Sequence, residues 1–235
     1  MATRYAVVEL DTTPSTQDEA RSRFDATAPV LVVSRHQTAG RGRLGRVWDE
    51  PDRGLFTSLA LTPDWPRERW PIIPLVAGLA ARTAIHDLTG VRVELRWPND
   101  LVIDDRKVGG LLAESSGSVV VVGCGVNLSW AEPLHDATAL SDHGALRVGP
   151  LELARGWADR LLERLSGHPD DWGLDDYRDA CATVGRRVAY AAGFGTAAGI
   201  DGDGRLLVET DAGVVAIGSG EVRTGDTITG DEEGQ

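Results

Sequence analysis

A cationic, glycine-rich segment stands out in a strongly acidic chain. Residues 34–48 contain four arginines and no acidic residue, although the whole chain of 235 residues has a formal net charge of −12. Glycine lets the backbone approach a ligand closely, and the planar guanidinium of arginine matches a phosphate or a carboxylate. The segment favours a mobile anion-binding lid, while a solvated loop or an arginine–glycine RNA-contact arm stays open.

Residues 40–45 also have the form of two glycine-rich nucleotide motifs. The dinucleotide-binding motif needs a helix to open at its third glycine, but Pro51 and a non-helical pattern follow here. The protein-kinase motif needs a strand lysine soon afterwards, together with HRD and DFG segments, and the sequence contains none of these. We exclude both classes.

Three further segments place polar groups beside predicted strands. Asn99 and Asp100 follow a strand that ends at Trp97. Lys107, the only lysine among 24 basic residues, precedes two glycines in a predicted hairpin. Asn127 follows a buried strand, where its amide could bind a nucleobase edge. Each of these groups is also explained as a turn residue or a solvated charge, so none decides the function alone.

The remaining composition narrows the class of protein. The acidic balance argues against a general nucleic-acid binder, which needs a basic face. The longest apolar run, residues 72–81, is too short for a membrane helix of about 20 residues and predicts a buried helix. The N-terminus lacks a signal-peptide pattern, Cys124 and Cys181 have no metal spacing, and the histidines show no ligand spacing. We therefore expect a cytoplasmic protein with no membrane partner, and we assign no metal ligand.

The elements that must position these groups mix strands and helices. We predict strands at residues 5–10, 30–33, 55–61, 91–97, 101–103, 107–113 and 119–122, and helices at 71–89, 151–166 and 171–182. A further helix begins near Ser15, and either Ser15 or Thr16 could cap it. From Gly185 onward, short strands separated by Gly and Asp turns predict a small β-barrel, with a frayed tail at 225–235. The predicted domains are residues 1–183 and 184–235.

The combination of motifs resembles the biotin–protein ligase family. The motifs occur in the family's order at Ser15-Thr16, residues 37–43 (QTAGRGR), 97–100 (WPND), 107–110 (KVGG) and 125–127 (GVN). The C-terminal strands resemble the family's SH3-like domain. The resemblance implies an α+β fold, with a mixed β-sheet and flanking helices like that of class II aminoacyl-tRNA synthetases, plus a small C-terminal SH3-like β-barrel.

The resemblance also implies a two-step activity. Biotin and Mg²⁺-ATP would give biotinyl-5′-adenylate, and a lysine on the biotin carboxyl carrier domain of a biotin-dependent carboxylase would then take the biotin. The first predicted strand begins near residue 5, which leaves no room for the N-terminal DNA-binding domain of some family members, so we expect no repressor activity and no nucleic-acid partner.

The resemblance further implies a role for each matching residue. Biotin would be bound by Ser15, Thr16, Gln37, Gly40, Arg41, Lys107 and Gly110. ATP and the adenylate would be bound by Arg41, Arg43, Trp48, Asn99, Lys107 and Asn127. The catalytic set would be Lys107, Arg41, Arg43 and Asp100. In this set Lys107 bridges the biotin carboxylate and the α-phosphate, and Asp100 acts as a base or orients the acceptor lysine.

Two residues depart from the family's pattern, and two other functions stay open. Gln17 stands where Asn is common, and Arg96 stands where Lys is common. Because Arg is bulkier and forked, we expect the phosphate geometry to differ from the family's. A lipoate or octanoate protein ligase or transferase has a similar catalytic fold, but the full motif set and the predicted C-terminal barrel favour biotin. An RNA- or DNA-binding module would use the glycine–arginine segment, and the net acidity counts against it.

Overall fold

Seven strands form one mixed sheet that carries most of the fold. The computed structural model describes residues 4–144, 147–218 and 222–224. The strands are β1 (Ala6–Thr13), β2 (Val30–Gln37), β3 (Arg53–Leu61), β4 (Glu94–Arg96), β5 (Asp100–Ile103), β6 (Arg106–Ser116) and β7 (Val119–Ser129). Their order across the sheet is β1-β2-β3-β7-β6-β5-β4. Only the β1–β2 pair is parallel among the described strands, so the sheet is mixed, as predicted.

Helices cover both faces of this sheet. They are α1 (Thr16–Arg23), α2 (Ile73–Thr89), α3 (Pro150–Leu165) and α4 (Leu174–Ala180), with 3-10 turns at Arg43–Gly45, Arg67–Ile72, Leu140–Asp142 and Pro169–Asp171. Side chains alternate between faces along a strand. On β7, Val120 and Val122 therefore join the main core with α2 and α3, while Val121 packs on the opposite face against Ala20 of α1.

The predicted apolar helix is α2, and it is buried. Its core-facing residues are almost fully covered, and Gly90 ends it in the left-handed conformation with a φ of 75°. By length and composition alone, the stretch Arg67–Thr89 could also span a membrane. However, 61% of its most apolar window is buried inside the fold, as in the core helix of a globular protein.

The predicted hairpin is also present and is formed by β5 and β6. Asp104 and Asp105 connect the two strands, with φ values of 48° and 61°. Two consecutive residues with positive φ give a tight turn whose twist matches that of the flanking strands. The turn fixes the register that places Lys107 opposite Val102 at the start of β6.

A second, smaller sheet follows, but the predicted barrel is not confirmed. It contains β8 (Arg187–Tyr190), β9 (Gly193–Ile200), β10 (Leu206–Thr210), β11 (Gly213–Ile217) and β12 (Arg223–Thr224). The order is β11-β10-β9-β8-β12, with every pair antiparallel. Within the described part of the chain, β11 and β12 do not pair, so the sheet stays open. The predicted frayed tail lies outside the described residues.

The smaller sheet docks on the larger one through Trp97. This side chain is 3% exposed. Its indole Nε1 donates to the Gly204 carbonyl oxygen at 2.9 Å, and its backbone nitrogen donates to Thr183 Oγ1 at 3.0 Å. Arg186 and Asp105 form a second link between the two units, with an N–O distance of 2.6 Å. Trp97 thus fixes the position of the WPND turn as well as that of the C-terminal unit.

Candidate active site

A cavity opens on the α1 face of the large sheet, at the N-terminal end of that helix. Its wall brings together most of the residues that the sequence motifs predicted. These are Ser15, Thr16, Gln37, Arg41, Arg43, Trp48, Asn99, Asp100, Lys107 and Gly110. They come from distant parts of the chain, so the sheet and the docked WPND turn are what assemble them.

Two glycines form part of the cavity floor. Gly110 on β6 pairs directly with Gly125 on β7. A Cβ atom at Gly125 would lie 3.0 Å from Trp48 Cζ2, and one at Gly110 would lie 3.3 Å from Trp48 Cζ3. The Trp48 ring can therefore pack directly on the strands only because both positions lack a side chain. Its indole Nε1 is buried and has no hydrogen-bond partner among the described residues.

The glycine–arginine segment folds over this floor as a short hairpin-like loop. Gly42 donates its N–H to the Arg46 carbonyl oxygen at 2.7 Å, and Trp48 donates to that of Gly40 at 3.0 Å. Leu44 has a φ of 57° and is 73% exposed, although left-handed backbone is unfavourable for a leucine. An apolar residue is thus held in solvent at the tip of the loop that borders the cavity.

The end of the cavity at α1 is polar and uncharged. Gln37 Oε1 accepts hydrogen bonds from Thr16 N at 2.8 Å and from Thr16 Oγ1 at 3.1 Å. Thr16 Oγ1 also lies 2.8 Å from Ser58 Oγ. Because the Gln37 oxygen is engaged, its amide nitrogen is the group that it can offer to a ligand. Ser15 occupies the N-cap position of α1 without forming the predicted cap bond, and its side chain lines the cavity.

The opposite part of the cavity is cationic. Lys107 Nζ lies 2.8 Å from Asp100 Oδ1 and 5.3 Å from the centre of the Trp48 ring. Arg43 Nη1 donates to Asn99 Oδ1 at 2.9 Å. Burial lowers the pKa of the Arg43 guanidinium, an effect that Asp100 opposes and Arg46 reinforces. A desolvated cation of this kind gains from binding an anion.

Arg41 is placed differently from the other loop arginine. Its guanidinium donates to both carboxylate oxygens of Asp18 at 2.7 Å, and Glu114 lies 3.8 Å away. The hydrogen bond from Arg41 holds the pKa of the Asp18 carboxyl below its usual value. The Arg41 side chain therefore ties the loop to α1.

Two predicted site residues are not in the cavity wall. Gly40 packs behind it, where a Cβ would lie 3.1 Å from Gln37 Nε2 and 3.2 Å from Trp48 Cβ. Asn127 is 3% exposed on β7, and its Nδ2 donates to the Thr138 carbonyl oxygen at 3.0 Å. Asn127 Oδ1 is buried without a partner in the described part of the chain. The predicted adenine contact of Asn127 stays a prediction.

Sequence reasoning missed several residues of this region. Asp18, Ser58 and Glu114 were not singled out, and Gln17 was noted only as a departure from a family pattern. Their signal is weak in the sequence because each is a common polar residue within an ordinary helix or strand. Cys124 also lines the cavity, but burial raises the pKa of its thiol to about 12, so it is no nucleophile at neutral pH.

Metal ligands are not clustered in the part of the chain that the structure describes. No group of three or more His, Cys, Asp or Glu side chains there could hold a metal ion. The chemistry that this site offers is hydrogen bonding at one end and charge neutralisation at the other.

The amino-acid sequence also matches models of two known protein families. A model of the biotin/lipoate A/B protein ligase family matches residues 7–128, just over half of the chain. The chain belongs to this family. A second model, that of the biotin protein ligase C-terminal domain, matches residues 185–225. The family membership predicted from residues 40–43 (GRGR) and 97–100 (WPND) is confirmed.

Individual relatives cover most of the chain. The bifunctional ligase/repressor BirA of Bacillus subtilis is 31% identical over 238 residues, spanning 92% of this chain and 73% of the relative. The biotin–[acetyl-CoA-carboxylase] ligase of Mycobacterium tuberculosis is 33% identical over 211 residues, spanning 82% of this chain and 78% of the relative. The structure of the Aquifex aeolicus biotin protein ligase in complex with biotin and ATP superposes with a TM-score of 0.79 at 27% identity, covering 93% of this chain and 98% of that chain. The predicted mixed sheet with flanking helices is thereby confirmed.

The Arg41–Asp18 pair gives a test of how the loop is held. We expect Asp18→Asn to free the Arg41 side chain, because an amide cannot match a guanidinium as a carboxylate does. Trypsin should then cut the loop after Arg43 or Arg46 several times faster, as followed by mass spectrometry. Asp25→Asn, a change at an exposed carboxyl beyond the end of α1, is the control. Equal cleavage rates in the two variants would contradict a holding role for Asp18.

Proposed function

We propose that this chain is an ATP-dependent biotin–protein ligase. In the first step, biotin and ATP would form biotinyl-5′-adenylate and release pyrophosphate. In the second step, a lysine of a biotin carboxyl carrier domain would take the biotin and release AMP. The observation that carries the proposal is a single cavity with a neutral hydrogen-bonding end and a cationic end, separated by a glycine floor.

The neutral end suits the ureido ring of biotin. A cyclic urea presents one carbonyl acceptor and two N–H donors, so its site must offer both donors and acceptors. The Thr16 hydroxyl donates its hydrogen to Gln37 and keeps a lone pair that can accept, and the Gln37 amide nitrogen can donate. The dithiolane ring of lipoate has no N–H or carbonyl group to satisfy these side chains. Unpaired polar groups of this kind reject a ligand that lacks the partner.

The cationic end suits the joining of two anions. A biotin carboxylate attacks the α-phosphate of ATP, and the two groups repel each other until fixed cations neutralise them. Lys107 would contact both anions, and Arg43 would contact the phosphate. Asp100 and Trp48 hold the Lys107 ammonium in place. A compact ammonium can lie between two anions where a planar guanidinium of different geometry does not fit.

The loop that carries Arg43 would act as a lid. An acyl-adenylate is hydrolysed by water, so an enzyme that makes one must exclude water until the acceptor arrives. The exposed Leu44 at the loop tip supplies apolar surface that closure would bury. Arg41, paired with Asp18, would anchor one end of the moving segment.

The remaining assignments are also parts of this proposal. ATP would enter as its magnesium complex, and Asp100 would act as a base for the acceptor lysine or orient it once the adenylate has formed. Asn127 would face adenine. Residues 1–183 would carry catalysis and residues 184–235 would form the C-terminal domain, from which Val222 contributes to the cavity wall. The acceptor would be a carrier domain of a biotin-dependent carboxylase, and the cytoplasmic location stays a prediction.

Pyrophosphate exchange tests the substrate assignment. We expect the purified protein to incorporate labelled pyrophosphate into ATP when biotin is present, because adenylate formation is reversible on the enzyme. Lipoate and octanoate should give no exchange above the background measured without any of these three carboxylic acids. Exchange with lipoate but not with biotin would replace this proposal with a lipoate ligase.

Lys107→Ala tests the role of the ammonium. We expect biotin-dependent exchange to fall by at least about a hundredfold, since one fixed charge at a transition state is often worth that factor. Thermal unfolding should change little, because Lys107 is partly exposed. Lys107→Arg should stay impaired although it keeps the charge, and Arg106→Ala is the control for the neighbouring cation. Full activity of Lys107→Arg would mean that charge alone suffices.

Arg43→Gly tests the lid. We expect biotinyl-adenylate to leave the variant faster, because the phosphate loses a buried cation and the loop gains freedom. Retention of radiolabelled adenylate during rapid gel filtration measures this release. Arg35→Gly, which removes an exposed arginine paired with Asp11, is the matched control. If both variants retain the adenylate equally, Arg43 has no part in holding it.

A further inference from the structure

A turn of the smaller sheet is held by two tryptophans of the larger unit. The turn, residues 201–205, joins β9 to β10. Trp97 Nε1 donates to the Gly204 carbonyl oxygen at 2.9 Å, and Trp172 Nε1 donates to that of Gly202 at 3.1 Å. Both tryptophan side chains are almost fully buried. Two carbonyl groups of one turn therefore fasten the smaller sheet to the larger unit.

Hydrogen bonds within the turn fix the carbonyl group that Trp97 uses. Asp201 Oδ1 accepts from the backbone N–H of Asp203 at 3.0 Å and from that of Arg205 at 2.9 Å. The Gly204 N–H donates to the Asp201 carbonyl oxygen at 3.0 Å, and its φ of 75° is a conformation that favours glycine. From outside the turn, the Arg69 guanidinium pairs with the Asp203 carboxylate at 2.8 Å. These contacts set the direction of the Gly204 carbonyl group.

The two tryptophans differ in the segment that each one carries. Trp97 lines the cavity and directly precedes the turn that leads to Asp100. Asp100 Oδ1 lies 2.8 Å from Lys107 Nζ. Trp172 follows the 3-10 turn at Pro169–Asp171 and is not among the described residues of the cavity wall. A change in the Trp97 bond can therefore reach the Lys107 ammonium through a short piece of chain.

We propose that Trp97 is a positioning residue for adenylate formation, held in place by the Gly204 carbonyl oxygen. This inference rests on the proposed function. Moving the Trp97 indole would tilt the chain that follows it and displace the Asp100 carboxylate, and with it the paired Lys107 ammonium. A displacement of about 1 Å in a reacting group can lower a rate about a hundredfold although no group has left the site. The turn of the smaller sheet thus acts on the reaction through one backbone carbonyl.

A purely structural role for Trp97 makes a different prediction. Both indoles attach the same turn, so docking alone predicts that the loss of either bond acts only through the fraction of folded protein. Trp97→Phe keeps an aromatic ring but leaves the buried Gly204 oxygen without its indole donor. Trp172→Phe removes the other indole bond to the turn and is the matched control. If Trp97 is a positioning residue, the two variants must differ in rate when both are fully folded.

The test is biotin-dependent exchange of labelled pyrophosphate into ATP, measured well below the unfolding temperature of each variant. We expect Trp97→Phe to lower kcat for exchange about tenfold, because the Lys107 ammonium is displaced. KM for biotin should stay within about threefold, since the neutral end of the cavity lies away from this turn. Trp172→Phe should stay within about twofold of the natural protein in both constants. Equal losses of kcat in the two variants would overturn the positioning role.

A double variant shows whether the effect passes through the lysine. In the Lys107→Ala protein, we expect the added change Trp97→Phe to lower exchange by less than about twofold, because the group that Trp97 positions is already gone. A further tenfold loss in that protein would mean that Trp97 does not act through Lys107, and it would overturn the inference.

A second pair of variants serves if Trp97→Phe does not fold. Asp203→Asn weakens the attachment of the turn to Arg69, whereas Asp170→Asn weakens a contact of the same guanidinium outside the turn. We expect about a threefold loss of kcat in Asp203→Asn alone, and equal values in the two would overturn the inference. Absence of biotin-dependent exchange in the natural protein would overturn the proposed function. Exchange that every variant retains would overturn the role of Trp97 alone.

Discussion

The pairing of β6 with β7 is the constraint on which the site depends. Their register places Gly110 directly opposite Gly125, on the part of the α1 face that the helix does not cover. At these positions the sheet presents bare backbone, so Trp48 can lie within van der Waals distance of both strands. Shifting either strand by one residue would turn these glycines to the other face and fill the cavity with side chains.

Trp48 connects this floor to the glycine–arginine loop and to the cationic end. Its backbone nitrogen is bonded to Gly40, so the ring position and the base of the glycine–arginine loop are set together. Its ring also faces the Lys107 ammonium, which Asp100 holds from the other side. The cationic end, the floor and the loop therefore behave as one assembly. The neutral end is built separately, from the first turn of α1, from Gln37 at the end of β2 and from Ser58 on β3.

The two loop arginines show how similar residues take different roles. Arg41 and Arg43 are separated by a single glycine, and both could bind an anion by composition alone. Arg41 is satisfied by the carboxylate of Asp18, whereas Arg43 is directed into the cavity, where burial lowers its pKa. The two arginines differ in role because Asp18 of α1 pairs with Arg41, and the loop reaches α1 only in the folded protein.

The sequence by itself determined the family, the mixed sheet with flanking helices, the buried α2 helix and the β5–β6 hairpin. These features follow from periodicity, turn residues and motif order, which are local in the chain. Only the tertiary structure decided that Arg41 pairs with Asp18, that the Gln17 amide nitrogen bonds to β6 and β7, that Asn127 is enclosed outside the cavity wall and that the C-terminal sheet stays open in the described part of the chain. The physical reason is that each of these depends on which distant group lies opposite a side chain, and strand register and docking, rather than local pattern, set that partner.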